Sequence, residues 1–143
     1  MRRLGMILML MTLVAGVVAC ETDQDVQKDI AKSVQSGEAV VIPVTASSLY
    51  AAYEANRIGA DAKYKDAIVR VTGIVTSIDE DILGDAYVTL TDGGQFSMWG
   101  VQCYFADSNR AALAGLSKGQ PATRKGRVSD YLLNVAVRGC TVE

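Results

Sequence analysis

The 143-residue sequence contains no histidine. Histidine is the side chain that titrates near neutral pH without help, and it is a frequent metal ligand. Its absence therefore removes imidazole acid–base catalysis, Ser–His or Cys–His nucleophile pairs and His-based metal centres together. Positive charge is not in excess either: 14 Lys and Arg stand against 16 Asp and Glu, a net charge of -2. No bulk field draws a polyanion to the chain. Cysteine occurs only three times, too sparsely to build a zinc site without histidine. No Walker A or dinucleotide glycine fingerprint occurs, and four of the eleven carboxylates of residues 45–143 gather in one polar loop. The sequence thus reads as that of a noncatalytic protein with no metal or cofactor. Its length fits one domain.

What is present begins with a long apolar run. Met1-Arg2-Arg3 is a short positive lead, followed by Leu4 to Val18, uncharged and broken only by Gly5, Thr12 and Gly16. As a helix this run would reach roughly 22 Å, short of the ~30 Å hydrocarbon core. A cleaved signal peptide over residues 1–19 fits better than a membrane span. Val17-Val18-Ala19-Cys20 resembles a bacterial lipobox, which implies cleavage before Cys20, a diacylglyceryl thioether on its sulfur and a further acyl chain on its amine. Two or three acyl chains suffice for stable anchoring. Glu21, in place of an aspartate retention signal, points to the outer membrane facing the periplasm in a Gram-negative host.

Residues 20–44 read as the lipidated cysteine and a polar tether. Glu21 to Glu38 carries five acids against Lys28 and Lys32, and only Val26, Ile30 and Val34 recur at helical spacing. If flexible, such a segment reaches roughly 25 Å. Val40 to Val44 is apolar, but Pro43 confines it to an edge strand or an extended lead-in.

The domain is expected over residues 45–143. Thr45 or Ser47/Ser48 can cap a helix through Leu49, Tyr50 and Tyr53 that ends near Gly59. Strands are expected at Ile68–Ile78, Tyr87–Thr91, Phe96–Phe105, Gly119–Val128 and Leu132–Val142, with a short helix at Arg110–Leu116 between the third and fourth. Gly73 marks a bend in the first strand. Trp99, Val101, Cys103 and Phe105 share one face of the third, and Leu133, Val135 and Val137 set the inward phase of the fifth. Three strands, a helix and two strands is the order of an oligonucleotide/oligosaccharide-binding (OB) barrel, an all-β, five-stranded Greek-key fold.

Several segments carry a closer likeness: Leu49-Tyr50-x-x-Tyr53-x-x-Asn56, Ala60 to Lys65, Val69 to Ile78, Val101 to Phe105 and Leu132 to Val135. Together they resemble the tRNA_anti-like family of bacterial OB-fold lipoproteins. The resemblance implies the fold and an envelope location, and it names no ligand.

With Cys20 committed to lipid, Cys103 and Cys140 remain. In an exported domain an even pair reads as a disulfide. Cys140 is out of phase with Val137, so the pairing requires a bulge at Gly139 that turns Cys140 inward. OB barrels bind ligands on their second and third strands and the flanking loops. Alternation makes Tyr87, Thr89, Gln102 and Tyr104 the candidate ligand face, with Arg124 and Arg127 as a nearby basic cluster. Nucleic acid fits poorly, because residues 45–143 carry ten basic and eleven acidic side chains and the loop Asp79–Asp85 adds four acids where phosphates would pass. The expected partners are the membrane, through the lipid, and an envelope protein, glycan or small polar ligand. Nucleic acid is the alternative.

Overall fold

The computed structural model describes Gln24, Gln27, Lys28, Ile30, Ala31 and residues 40–143 other than Phe96. The expected signal segment and Cys20 lie outside the described residues. Six strands make one sheet: β1 (Val41–Thr45), β2 (Ile68–Glu80), β3 (Ala86–Thr91), β4 (Val101–Tyr104), β5 (Pro121–Tyr131) and β6 (Val135–Val142). Their order is β1-β2-β3-β4-β6-β5, and a further β2–β5 ladder closes the last five into a barrel. The neighbours β4 and β6 are parallel. This is the expected OB barrel with one strand added.

The long β2 explains the closure. One of its edges pairs with β5 from Ile68 to Ile74. The other edge is shared, first with β1 up to Thr72 and then with β3 from Ile74 onward. Gly73 sits at the handover, where an added Cβ would lie 2.9 Å from the Thr91 carbonyl oxygen and 3.0 Å from the Ala46 Cβ. Only glycine lets three chain segments meet there. The register shift itself falls two residues later, between Val75 and Ser77. Pro43 is tolerated because β1 is an edge strand.

Helix α1 (Ala46–Ala55) starts at Thr45, whose hydroxyl accepts the Ser48 N–H at 3.1 Å. The helix does not reach Gly59, where the sequence placed its end, but stops at Ala55. Asn56 leaves the helical conformation and its side chain caps a second helix, α2 (Arg57–Tyr64), by accepting the Gly59 N–H. Leu49 and Tyr53 of α1 are buried with Val69, Val71, Val75, Val88, Leu90, Val101, Phe105, Val128, Val135 and Val137 in one core. The connection between β4 and β5 carries a 3-10 helix (Asp107–Leu113), earlier and tighter than the expected Arg110–Leu116 helix.

Two strands are shorter than the sequence suggested. β4 begins at Val101, because Gly100 must pass so close to β3 that a Cβ would fall 2.2 Å from the Leu90 carbonyl oxygen. Trp99 is consequently displaced from the inward row and is 43% exposed, whereas Val101, Cys103 and Phe105 are buried as expected. β6 begins at Val135, so Leu132 and Leu133 form an exposed turn and Leu133 leaves the inward phase assigned to it.

The lead segment is not a free tether over its described residues. Gln24, Gln27, Lys28, Ile30 and Ala31 are helical, and Gln27 and Ala31 are buried. The Gln24 amide donates to the Asp85 carboxylate and accepts the Asp107 N–H at 3.1 Å. Gln27 accepts the N–H of Gly139. Gly139 adopts a φ of 63°, and a Cβ there would lie 2.3 Å from Cγ2 of Ile30. The contact thus demands glycine at this position for two separate reasons.

Candidate functional site

The outer face of β3, β4 and β6 gathers the aromatic and polar side chains that project away from the core. Tyr87 and Tyr104 face each other across the β3–β4 ladder, with centroids 5.4 Å apart and planes inclined at 45°. Such offset ring pairs are attractive. The Arg138 guanidinium lies 4.6 Å from the centre of the Tyr104 ring and 3.8 Å from the buried Asp85 carboxylate. Tyr104 donates its hydroxyl proton to Gln102 Oε1 at 3.2 Å. Burial raises the phenol pKa of both tyrosines above the ordinary value; the acids Asp79 and Asp81 raise that of Tyr87 further, while Arg138 pulls Tyr104 back down. Neither ring is poised to ionise near neutrality.

From this cluster a groove of about 560 Å³ runs toward the opposite end of the strands, lined by Tyr104, Arg138, Trp99, Leu132, Leu133 and Asn134. Its far end is held by two hydrogen bonds to Gly100. Asn134 Oδ1 accepts the Gly100 N–H at 2.8 Å, and the Val135 N–H donates to the Gly100 carbonyl at 3.0 Å. The β5–β6 turn is thereby fixed beside the Trp99 loop, and Leu132 (83% exposed) and Trp99 present apolar surface to solvent. An aromatic platform, an amide and a tethered cation suit binding of a flat or extended ligand. No nucleophile–base pair accompanies them among the described residues.

Of the expected ligand face, Tyr87, Gln102 and Tyr104 come together on this surface. Thr89 does not contribute; it is only 6% exposed. The basic cluster is also divided. Arg124 shares the inward phase of Ala122, Gly126 and Val128 on β5 and is 3% exposed, with its Nη1 donating to the Thr123 carbonyl and its Nε unpartnered. Arg127 points outward on the β2–β5 seam and donates to the Asp66 carbonyl. Lys125 stands opposite Arg70 on the same seam, where Arg70 is paired with Glu143 at 2.6 Å. The groove residues that sequence reasoning passed over are Trp99, Leu132, Leu133, Asn134 and Arg138. Arg138 was signalled by its outward phase beside Val137; the others depend on where β4 and β6 begin.

Cys103 and Cys140 meet in the core. Gly139 provides the expected phase change in the β5–β6 register, and both sulfurs are buried. They stand as thiols, with Cys140 donating to the Val137 carbonyl at 3.4 Å. Burial drives the Cys140 thiol pKa up and the neighbouring Cys103 adds to the shift, while Arg124 opposes it.

The tRNA_anti-like family model matches residues 1–141. No curated protein matches the sequence. Among solved structures, the chain is similar to the crystal structure of a "putative nucleic acid-binding lipoprotein" from Klebsiella pneumoniae subsp. pneumoniae MGH 78578. The two are 22% identical with a TM-score of 0.57, over 78% of this chain and 96% of that one. Two OBodies bound to hen egg-white lysozyme, AM3L09 and AM3L15, match at 18% identity and a TM-score of 0.40. The first match covers 57% of this chain and 89% of that one, the second 55% and 81%. The chain belongs to the tRNA_anti-like family.

Proposed function

We propose that this protein is a lipid-anchored envelope protein whose OB barrel is a noncatalytic binding module. It holds an envelope protein segment, a glycan or a small polar ligand in the groove between Tyr104 and Leu132. The observation that carries this reading is that the cation beside the rings is already committed within the protein. The cation lining the groove, Arg138, is already engaged by Asp85 and by the Tyr104 ring, and Asp79 and Asp81 lie close enough to perturb Tyr87. Lys125, Arg127 and Arg70 stand on the β2–β5 seam. Single-stranded nucleic acid needs both features in one track, stacked bases on rings and phosphates on cations. The lipid anchor rests on the Val17–Cys20 lipobox and accords with the Klebsiella neighbour being described as a lipoprotein.

Nucleic-acid binding is the second reading, favoured by the Tyr87–Tyr104–Arg138 stack and by the likeness to the Klebsiella "putative nucleic acid-binding lipoprotein". Titration of the protein with single-stranded DNA and RNA oligonucleotides at low salt, followed by Trp99 fluorescence, separates the two. The proposed reading predicts no saturable change. Binding that weakens steeply as salt rises, and is lost in Tyr104→Ala, would replace it with the second.

A further inference from the structure

We propose that the barrel lies directly against the bilayer surface, with Ile82 and Leu83 at the tip of the β2–β3 loop seated in the zwitterionic headgroup region. The inference rests on lipid anchoring at Cys20 and adds a second membrane contact to it. It begins with chain length. Gln24 is fixed to the barrel at two points, the Asp85 carboxylate and the Asp107 N–H. Cys20 is four residues earlier. A chain spans at most ~3.6 Å per residue, so the lipidated residue stands within about 14 Å of the Gln24 Cα whatever path lies between. That is well inside the reach of a flexible tether, so the end of the barrel formed by Asp85, Asp107 and Gly139 faces the membrane.

That end presents an apolar tip. Ile82 is 102% exposed and Leu83 71%, three and two residues from the Asp85 that holds Gln24. Two adjacent aliphatic side chains beside a lipid anchor add apolar area to the membrane contact at no further cost in tethering entropy. The acids of the loop are largely engaged within the protein. Glu80 pairs with Arg110 and Asp85 with Arg138. The Asp81 carboxylate accepts the N–H groups of Leu83 at 2.9 Å and Asp85 at 3.0 Å, which also fixes the tip's shape. The remaining negative charge selects a zwitterionic surface over an anionic one. The same geometry orients the groove. Ala86 to Thr91 spans about 17 Å at ~3.3 Å per residue, so Trp99 and Leu132, at the far end of the strands, open away from the bilayer.

The test uses the full-length lipidated protein in phosphatidylcholine–phosphatidylethanolamine vesicles that contain brominated lipid. In a Trp99→Phe background, Ile82→Trp or Leu132→Trp supplies the only tryptophan. Position 82 is expected to be quenched by the brominated chains and position 132 is not. Adding Gly139→Ala, which evicts the docked segment, should weaken quenching at 82 while the protein still floats with the vesicles. Protein that floats but shows no quenching at 82, or equal quenching at 82 and 132, overturns the second contact and leaves the anchor standing. Protein that does not float overturns both.

Discussion

Cys103 and Cys140 lie in contact in a barrel that the leader would direct to an oxidising compartment, and they are expected to be bridged in the mature protein. Oxidation joins the two sulfurs and passes two electrons and two protons to an exported thiol–disulfide oxidant. Three features of the fold support the geometry. The β4–β6 ladder sets Cys103 opposite Val137. Gly139 then turns Cys140 inward. On the neighbouring strand β5, Gly126 leaves room for the sulfur, since a Cβ there would lie 2.8 Å from Cys140 Sγ. The bridge would close a loop of 38 residues (counted from Cys103 to Cys140), which in the chain-entropy model is about 4 kcal/mol. For a domain of this size that corresponds to a rise in Tm of roughly 15–30 °C. The assay compares the protein taken from the envelope with the same sample reduced in denaturant and refolded. Under denaturing, non-reducing conditions neither cysteine should alkylate, and the reduced form should melt well below the oxidised one. Alkylation of both cysteines without reductant, or a Tm indifferent to reduction, would refute the reasoning and leave the pair as buried thiols.

Two further substitutions test the packing. Gly139→Ala sets a Cβ against Ile30 and forces a non-glycine residue into positive φ. The strain and the loss of the Gln27 hydrogen bond should together cost about 2–3 kcal/mol in urea unfolding and expose Gln27 and Ala31 to proteolysis. Arg124→Met removes a buried guanidinium with an orphaned Nε. It should leave stability unchanged or raise it by about 1–3 kcal/mol, read as a higher urea midpoint at constant slope. A lower midpoint would mean that the guanidinium stabilises the barrel through its contacts.

The fold was legible because its signals are local and agree with one another. Alternation in Val69, Val71 and Val75, the turn after Thr91, the Thr45 cap and the glycine-dependent phase change at Gly139 all point to one barrel. The site was half legible. Tyr87, Gln102 and Tyr104 follow from period-two alternation, which is intrinsic to a strand. Trp99, Leu132 and Leu133 were assigned to strands because they are apolar, whereas the close passage of Gly100 against Leu90 ends the strand before Trp99, and Asn134 closes the turn. Arg124 shows the opposite error: its even phase on β5 pointed inward, and its charge argued for solvent. Gln27 was hidden for a related reason. A polar segment with few apolar residues reads as tether, and only the tertiary contact with Gly139 reveals that a glutamine amide and Ala31 are covered.

Location, the disulfide and the membrane-facing loop all depend on processing at Cys20, so the intact mass of the native protein from a membrane fraction tests the account most directly. The account predicts a chain that begins at Cys20, carries the mass of two or three acyl chains with their glyceryl group, and loses that mass in Cys20→Ser. A chain that retains residues 1–19, or begins at Cys20 without added lipid, would contradict it.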